Sequence, residues 1–367
     1  MLLKLMFFVN SAESEAAGIR AKLFAERLSS RWEICFNYRP VPKWKGIVTF
    51  VRSALHFRPH IIYVMDTAYT GVLAGYMAKK LLGCKLITDT GDVAYELAKS
   101  TGNYSQQQLA LIHWVEQLAI AYSDCLIVRG SYHQNWLEKQ GIQNVFFVPD
   151  GVKLSSIKSV DVTSLKTELG LIHHLVVGVV GTLTWSDKHQ MCYGWDIIEA
   201  LSFLKDLPIK ALIVGDGNGR SILQSRAEEL GVADRVIFTG QIPYDELSRY
   251  LCAMDICVST QSNDLVGMVR TTGKLPLYLA YGKYVIATDV GEAKKVLPAV
   301  GCLLPYDGVR DNHHPFRLAQ QLKKLLAQPK LLEITEPAKQ VARSHFDYDL
   351  LASKVERICC DLVKLNS

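Results

Sequence analysis

The chain lacks a cysteine pattern of either the metal-binding or the redox kind. Its nine cysteines are scattered, most of them inside apolar runs such as DICVST and DCLIVRG, and no CxxC occurs. Buried, reduced thiols are the expectation. The ten histidines include two adjacent pairs, His173–His174 and His313–His314. Neither pair has i, i+4 spacing or a neighbouring Cys/Asp set, so no metal site is expected. There is no GxSxG, and the serines of RGSYH and GRSIL have no base beside them, which speaks against a nucleophilic hydrolase. The apolar start MLLKLMFFVN is too short to cross a bilayer and has no small-residue cleavage site. A first strand of a cytoplasmic protein is expected there, and the missing signal argues against a periplasmic solute-binding protein. Low-complexity tracts are absent, and the charge excess is small: +5 net, with 21% charged and 49% hydrophobic residues. That balance suits anionic small molecules or an anionic membrane surface better than a long nucleic acid duplex.

What the chain does have is alternation. Short apolar runs (LKLMFFV, EICFNY, HIIYVM, CKLITDT, DCLIVRG, NVFFVPD, then LVVGVVGTL, KALIVGD, RVIFTGQ, DICVST, YVIATDV, GCLLPYD) are separated by amphipathic segments. Continuous apolar strands between helices imply parallel sheets covered on both faces. A polar break at DGVKLSSIKSVD divides twelve strand candidates into six and six. The expected fold is therefore α/β, with two Rossmann-like doubly wound domains facing a cleft. Domain limits are expected at 1–153 and 154–345, with a closing amphipathic helix in 346–367 able to pack back on the first domain. Ligands of such sheets bind beyond the carboxyl ends of the strands.

The segment ALIVGDGNGRS, with Gly215 and Asp216, looks like a dinucleotide fingerprint but lacks the third glycine of GxGxxG. The following strand ends in Thr239 and Gly240, not in an acidic residue. A tight strand-to-helix turn at the cleft is the better reading, and hydride transfer is disfavoured. The DxD of FDYD opens the last helix, where Asp347 or Asp349 favours the helix dipole. Anion chemistry remains. Lys188, Arg270 and Lys274 lie on loops of the second half, and Thr271, Thr272 and Gly273 would present backbone N–H groups to a phosphate.

At this point the chain resembles a GT-B glycosyltransferase, most similar to the large retaining family 4 of glycosyl transferases group 1. VPDGVKL resembles the family's linker motif, and VVGVVGTL, ALIVGDG, RVIFTGQI, LCAMDICVS and LAYGKYVIATDVGEA follow in the family's order. The resemblance implies a nucleoside-diphosphate sugar held by the second domain and an acceptor held by the first. It implies Gly181 and Thr182 at the donor phosphates, Gln241 and Ile242 at the base, and Lys188, Arg270 or Lys274 on the diphosphate. Retention of configuration and independence of metal or other cofactor are implied likewise. Two departures stand out: the family's paired glutamates fall at Val269 and Leu277, and Gly91 lies near the place of a first-domain histidine. Asp89 and Asp92 are the candidates for handling the acceptor hydroxyl, with helix capping the alternative for Asp92.

A separate feature is the basic, aromatic segment 43–58, where Lys43, Lys45, Arg52 and Arg58 alternate with Trp44, Phe50, Val51 and Phe57. It is either a contact with the inner face of a membrane or a surface helix with one face on the sheet. The leading expectation is a glycosyltransferase of polysaccharide or glycoconjugate assembly acting on a saccharide or lipid-linked acceptor. The alternatives are a nucleotide-sugar 2-epimerase and a non-catalytic nucleotide-sugar-binding protein.

Overall fold

The computed structural model describes residues 2–40, 42, 44–243 and 245–364. It divides into two units, the first made of Met1–Lys153, Met268–Thr271 and Phe346–Ser367, the second of Leu154–Gly267 and Thr272–His345.

The first unit is built on a six-stranded sheet of order β2-β1-β3-β4-β5-β6. Its strands are β1 (Leu3–Val9), β2 (Trp32–Tyr38), β3 (Ile61–Met65), β4 (Lys85–Thr90), β5 (Cys125–Val128) and β6 (Val145–Phe147). All pairings are parallel. The alternation of a strand sends Leu5, Phe7 and Val9 to one core and Met6 and Phe8 to the other. Helices Ala16–Ala25 and Tyr348–Lys364 cover the first face, and Lys45–Phe57, Tyr69–Leu82 and Gln106–Tyr122 cover the second. Burial on both faces is why these strands read as unbroken apolar runs.

The second unit repeats the plan with β7 (Leu175–Val180), β8 (Ile209–Val214), β9 (Val236–Gly240), β10 (Ile256–Ser259), β11 (Tyr284–Thr288) and β12 (Gly301–Leu304). The order is β12-β11-β10-β7-β8-β9, again all parallel. The direction of winding reverses between β7 and β10. That switch point is where an open α/β sheet leaves a crevice beyond its strand ends.

The helix Lys45–Phe57 lays one face on the sheet, as one of the two expected readings has it. Phe50 and Val51 are buried, Phe50 stacks on Phe8 at 4.7 Å between centroids, and Phe57 packs on the same core beneath the Lys4 ammonium. Most of its aromatic stripe therefore faces the sheet. What it leaves exposed is Trp44, Val48 and Leu55 beside Lys45 and Arg52. Lys43 lies outside the described residues. No helix among the described residues is long and apolar enough to cross a membrane.

Candidate functional site

Three turns come together at the carboxyl ends of β7, β8 and β9, and backbone crowding dictates their glycines. A β-carbon on Gly215 would lie 2.0 Å from the Gly181 carbonyl oxygen, and φ at Gly215 is 132°. No side chain fits there. The turns are laced by backbone bonds: Gly181 N–H to Val214 O at 2.9 Å, Leu183 N–H to Asp216 O at 2.9 Å, and Gly215 N–H to Gly240 O at 3.0 Å. Together they wall a cavity of about 550 Å³ that includes Gly181, Thr182, Gly215, Asp216, Gln241 and Ile242. Asp216 is also tied locally, accepting from Gly217 N–H at 2.8 Å and pairing with Arg220 at 3.2 Å.

Lys274 opens the helix Lys274–Ala280, and its position follows from the switch point. Tyr278 of that helix is fully buried, and its hydroxyl accepts the Val180 N–H at 2.9 Å, which pins the helix to the end of β7. The Lys274 ammonium then stands 3.3 Å from the centroid of the Tyr193 ring. It also lies 3.3 Å from the point a β-carbon on Gly181 would occupy. One positive charge thus rests on an aromatic face at the glycine turn, held by a cation–π contact. Gly273 precedes the helix with open space around it, and the Thr272 hydroxyl is 3.5 Å from that of Ser259. Thr271 belongs with the first unit, where its hydroxyl donates to the Arg129 carbonyl at 2.5 Å. Lys188 is exposed in the turn closed by Ser186 N–H to Met191 O, and it is not in the cavity wall.

In the first unit Asp89 is fully buried, and both its oxygens are engaged. It accepts from Arg20 Nε at 3.0 Å, Arg129 Nε at 2.9 Å and the Tyr63 hydroxyl at 2.9 Å. Burial alone would raise its carboxyl; Arg20 and Arg129 outweigh that and hold it below the ordinary range. Arg20 goes on to the carbonyls of Val148 and Pro149, and Arg129 to Asp66 at 2.7 Å. Asp89 is thus occupied in tying strand ends together. Asp92 is half-exposed and accepts from Arg270 Nε at 2.9 Å and from Arg270 Nη2. It does not cap the next helix: Ala94 N–H is taken by the Glu116 carboxylate at 2.5 Å. Gly91 has a purpose of its own, because a β-carbon there would meet Arg129 Cδ at 3.1 Å. Val269 is fully buried and Leu277 half-buried.

Sequence reasoning missed Arg20, Arg129 and Glu116, and it missed Asp196. The Asp196 carboxyl is buried at the start of the helix Trp195–Ser202. Burial pushes it up to about 7 against the opposing pull of the Arg310 charge and the Thr260 hydroxyl. Arg310 also donates to the Gln190 carbonyl at 2.8 Å and covers the Trp195 ring at 5.2 Å, so it holds the turn that carries Lys188.

Residues 174–328 match the family model described as Glycosyl transferases group 1. Over 192 residues the chain is 30% identical to the 2-deoxystreptamine glucosyltransferase of Streptomyces kanamyceticus, covering 50% of this chain and 45% of that one. The chain thus spans about half the length of the curated relatives it matches. Two solved structures agree with it over nearly its whole length. HepE of Anabaena in complex with UDP has a TM-score of 0.78 at 17% identity, covering 98% of this chain and 100% of that chain. Sucrose-phosphate synthase of Thermosynechococcus elongatus has 0.76 at 17%, covering 99% and 100%. The chain has the GT-B fold, and the residues that match the family model include the whole glycine-walled cavity.

Proposed function

We propose that the chain is a glycosyltransferase. Its second unit holds a nucleoside-diphosphate sugar, and its first unit receives a saccharide or lipid-linked acceptor in polysaccharide or glycoconjugate assembly. The observation that carries this reading is the single cavity walled by Gly181, Thr182, Gly215, Asp216, Gln241 and Ile242, with the Lys274 ammonium beside Gly181. UDP, bound in the HepE structure, is the first base to test.

The chemistry follows from charge. As the bond from the anomeric carbon to phosphate oxygen breaks, negative charge grows on the diphosphate and oxocarbenium character on the sugar. Lys274 and the Thr182 backbone N–H, which lies between the bonded N–H groups of Gly181 and Leu183, stabilise the first, each charge-assisted bond contributing about 1.5–3 kcal/mol. In this reading cationic side chains supply what a metal supplies elsewhere. Arg270 and Asp92 neutralise one another in the free protein. The acceptor hydroxyl gives its proton to the departing phosphate, or to Asp92 once Arg270 has released it. Attack from the face the diphosphate leaves gives retention. Water must be kept out, since donor hydrolysis competes.

Thermal shift against UDP-, GDP-, ADP- and TDP-sugars tests the reading. A ligand at about 100 times its Kd stabilises by about 2.7 kcal/mol; no shift with any of them overturns it. A second reading, a nucleotide-sugar-binding protein without catalysis, is favoured by Val269 and Leu277 in the glutamate positions. Slow hydrolysis of the bound donor decides for the enzyme, and an indefinitely stable complex decides for the binder.

A further inference from the structure

The first unit carries a second cavity, at the opposite end of its sheet from Asp92. It is bounded by Lys85, Asp124 and Asn144, at the amino ends of β4, β5 and β6, and its volume is about 730 Å³. The six residues of β4 separate it from Asp92, roughly 20 Å of strand. That volume is in the range of small-molecule sites, and so is the character of the lining, which mixes apolar and charged side chains.

Its apolar lining is Tyr122, Phe146, Ile358 and Leu362, with Tyr122 and Phe146 38% and 37% exposed. Its further cations are Lys354, Arg357 and Lys80, the last with its ammonium 5.5 Å from the Tyr122 ring centroid. Two carboxylates also line the cavity, and both have partners elsewhere. Asp124 accepts from Lys79 at 2.7 Å and from Leu86 N–H at 2.8 Å and pairs with Lys85 at 3.8 Å; Asp361 pairs with Lys364 at 3.6 Å. Among the described residues no carboxylate forms an ion pair with Lys80, Lys354 or Arg357. Lys354 and Arg357 are three apart on one helix, a spacing at which like charges repel. The Lys354 ammonium gives one hydrogen bond to the Phe147 carbonyl at 2.6 Å and has three to give. Burial, with the Arg357 charge adding to it, lowers the Lys354 pKa, so that ammonium stands in an environment that disfavours its charge.

We propose that this cavity binds an amphiphilic organic anion, its phosphate or carboxylate between Lys354 and Arg357 and its apolar body against Tyr122 and Phe146. The anion relieves the repulsion of the two cations through charge-assisted bonds, and the apolar body covers two aromatic side chains that water now wets. The site shares no residue with the glycine-walled cavity and lies at the other end of β4 from Asp92.

Calorimetric titration of the full chain with phenyl phosphate, inorganic phosphate and benzyl alcohol tests it. Phenyl phosphate is expected to bind about tenfold or more tighter than either fragment. Lys354→Gln with Arg357→Gln is expected to weaken it by a similar factor, and so, separately, is Phe146→Ser, whose side chain is exposed and whose loss leaves the fold intact. Wild-type melting curves for the variants separate lost binding from lost folding. The proposal is overturned if inorganic phosphate binds as tightly as phenyl phosphate, if benzyl alcohol does, if neither variant changes the affinity, or if nothing binds at millimolar concentration.

Discussion

One ammonium group stands beside the glycine-walled cavity, whose own wall carries the Asp216 carboxylate. Lys274 rests on the Tyr193 ring next to the Gly181 turn, where the proposed function puts the donor phosphate. Lys274→Ala is expected to weaken nucleotide-sugar binding by about 1.5–3 kcal/mol, roughly ten- to a hundredfold, with little change in melting temperature. Titration of the variant with the donor reads this directly, and an unchanged affinity removes Lys274 from the phosphate. Asp196 makes a prediction of the opposite kind, about stability. Its folded-state carboxyl titrates at about 7 because burial disfavours the charge, whereas in the unfolded chain it titrates near 3.9. Between those values the folded state binds more protons, so its stability contribution is greatest on the acid side and falls as pH rises through 7. Asp196→Asn stays neutral and keeps an acceptor for Thr260. The variant's melting temperature is therefore expected to exceed wild type by a margin that widens from pH 5 to about 7 and is flat above. A margin independent of pH means that Asp196 is ionised throughout.

Elements were legible where one face or two had to be apolar whatever the neighbours. All twelve strands stand where the apolar runs place them, because a parallel strand is buried on both faces and its sequence records nothing else. The helix Lys45–Phe57 shows the limit. Periodicity reveals an apolar face but not what covers it, and Phe50 meets Phe8 from forty-two residues away. Asp89 shows the same limit at a strand end. A carboxylate after an apolar run reads alike whether it faces an acceptor or two arginines, and Arg20 and Arg129 lie 69 and 40 residues distant. The glycine turns were the legible part of the site, since tight strand-to-helix turns leave a local signature. Gly215→Ala tests that crowding: its β-carbon would overlap the Gly181 carbonyl at 2.0 Å, and φ is 132°. Loss of donor binding together with a lower melting temperature is expected, about 1–3 kcal/mol for the strained backbone alone. Flotation with anionic and neutral liposomes settles what the other face of Lys45–Phe57 does. Binding that Trp44→Ala or Arg52→Gln abolishes supports a membrane contact, and no binding to either vesicle removes it.

At the scale of the molecule, each unit has its own sheet and its own buried clusters. The first carries the Arg20–Asp89–Arg129 network, the second the glycine-walled cavity. Asp89→Asn leaves two buried guanidinium groups facing an amide. Breaking a buried pair in this way costs about 3–5 kcal/mol, which for a unit of this size lowers its melting temperature by roughly 6–20 °C. The sign with pH is fixed by the depressed Asp89 carboxyl: its contribution is in place at neutral pH and is lost on acidification through the folded-state pKa. A saturating donor acts on the second unit alone and raises its transition. Scanning calorimetry at neutral pH is therefore expected to show Asp89→Asn depressing one transition while the donor still raises the other, and Lys274→Ala reducing only the donor's shift. If Asp89→Asn moves every transition together, the two units melt as one cooperative block, and the separate cores do not act as separate sources of stability.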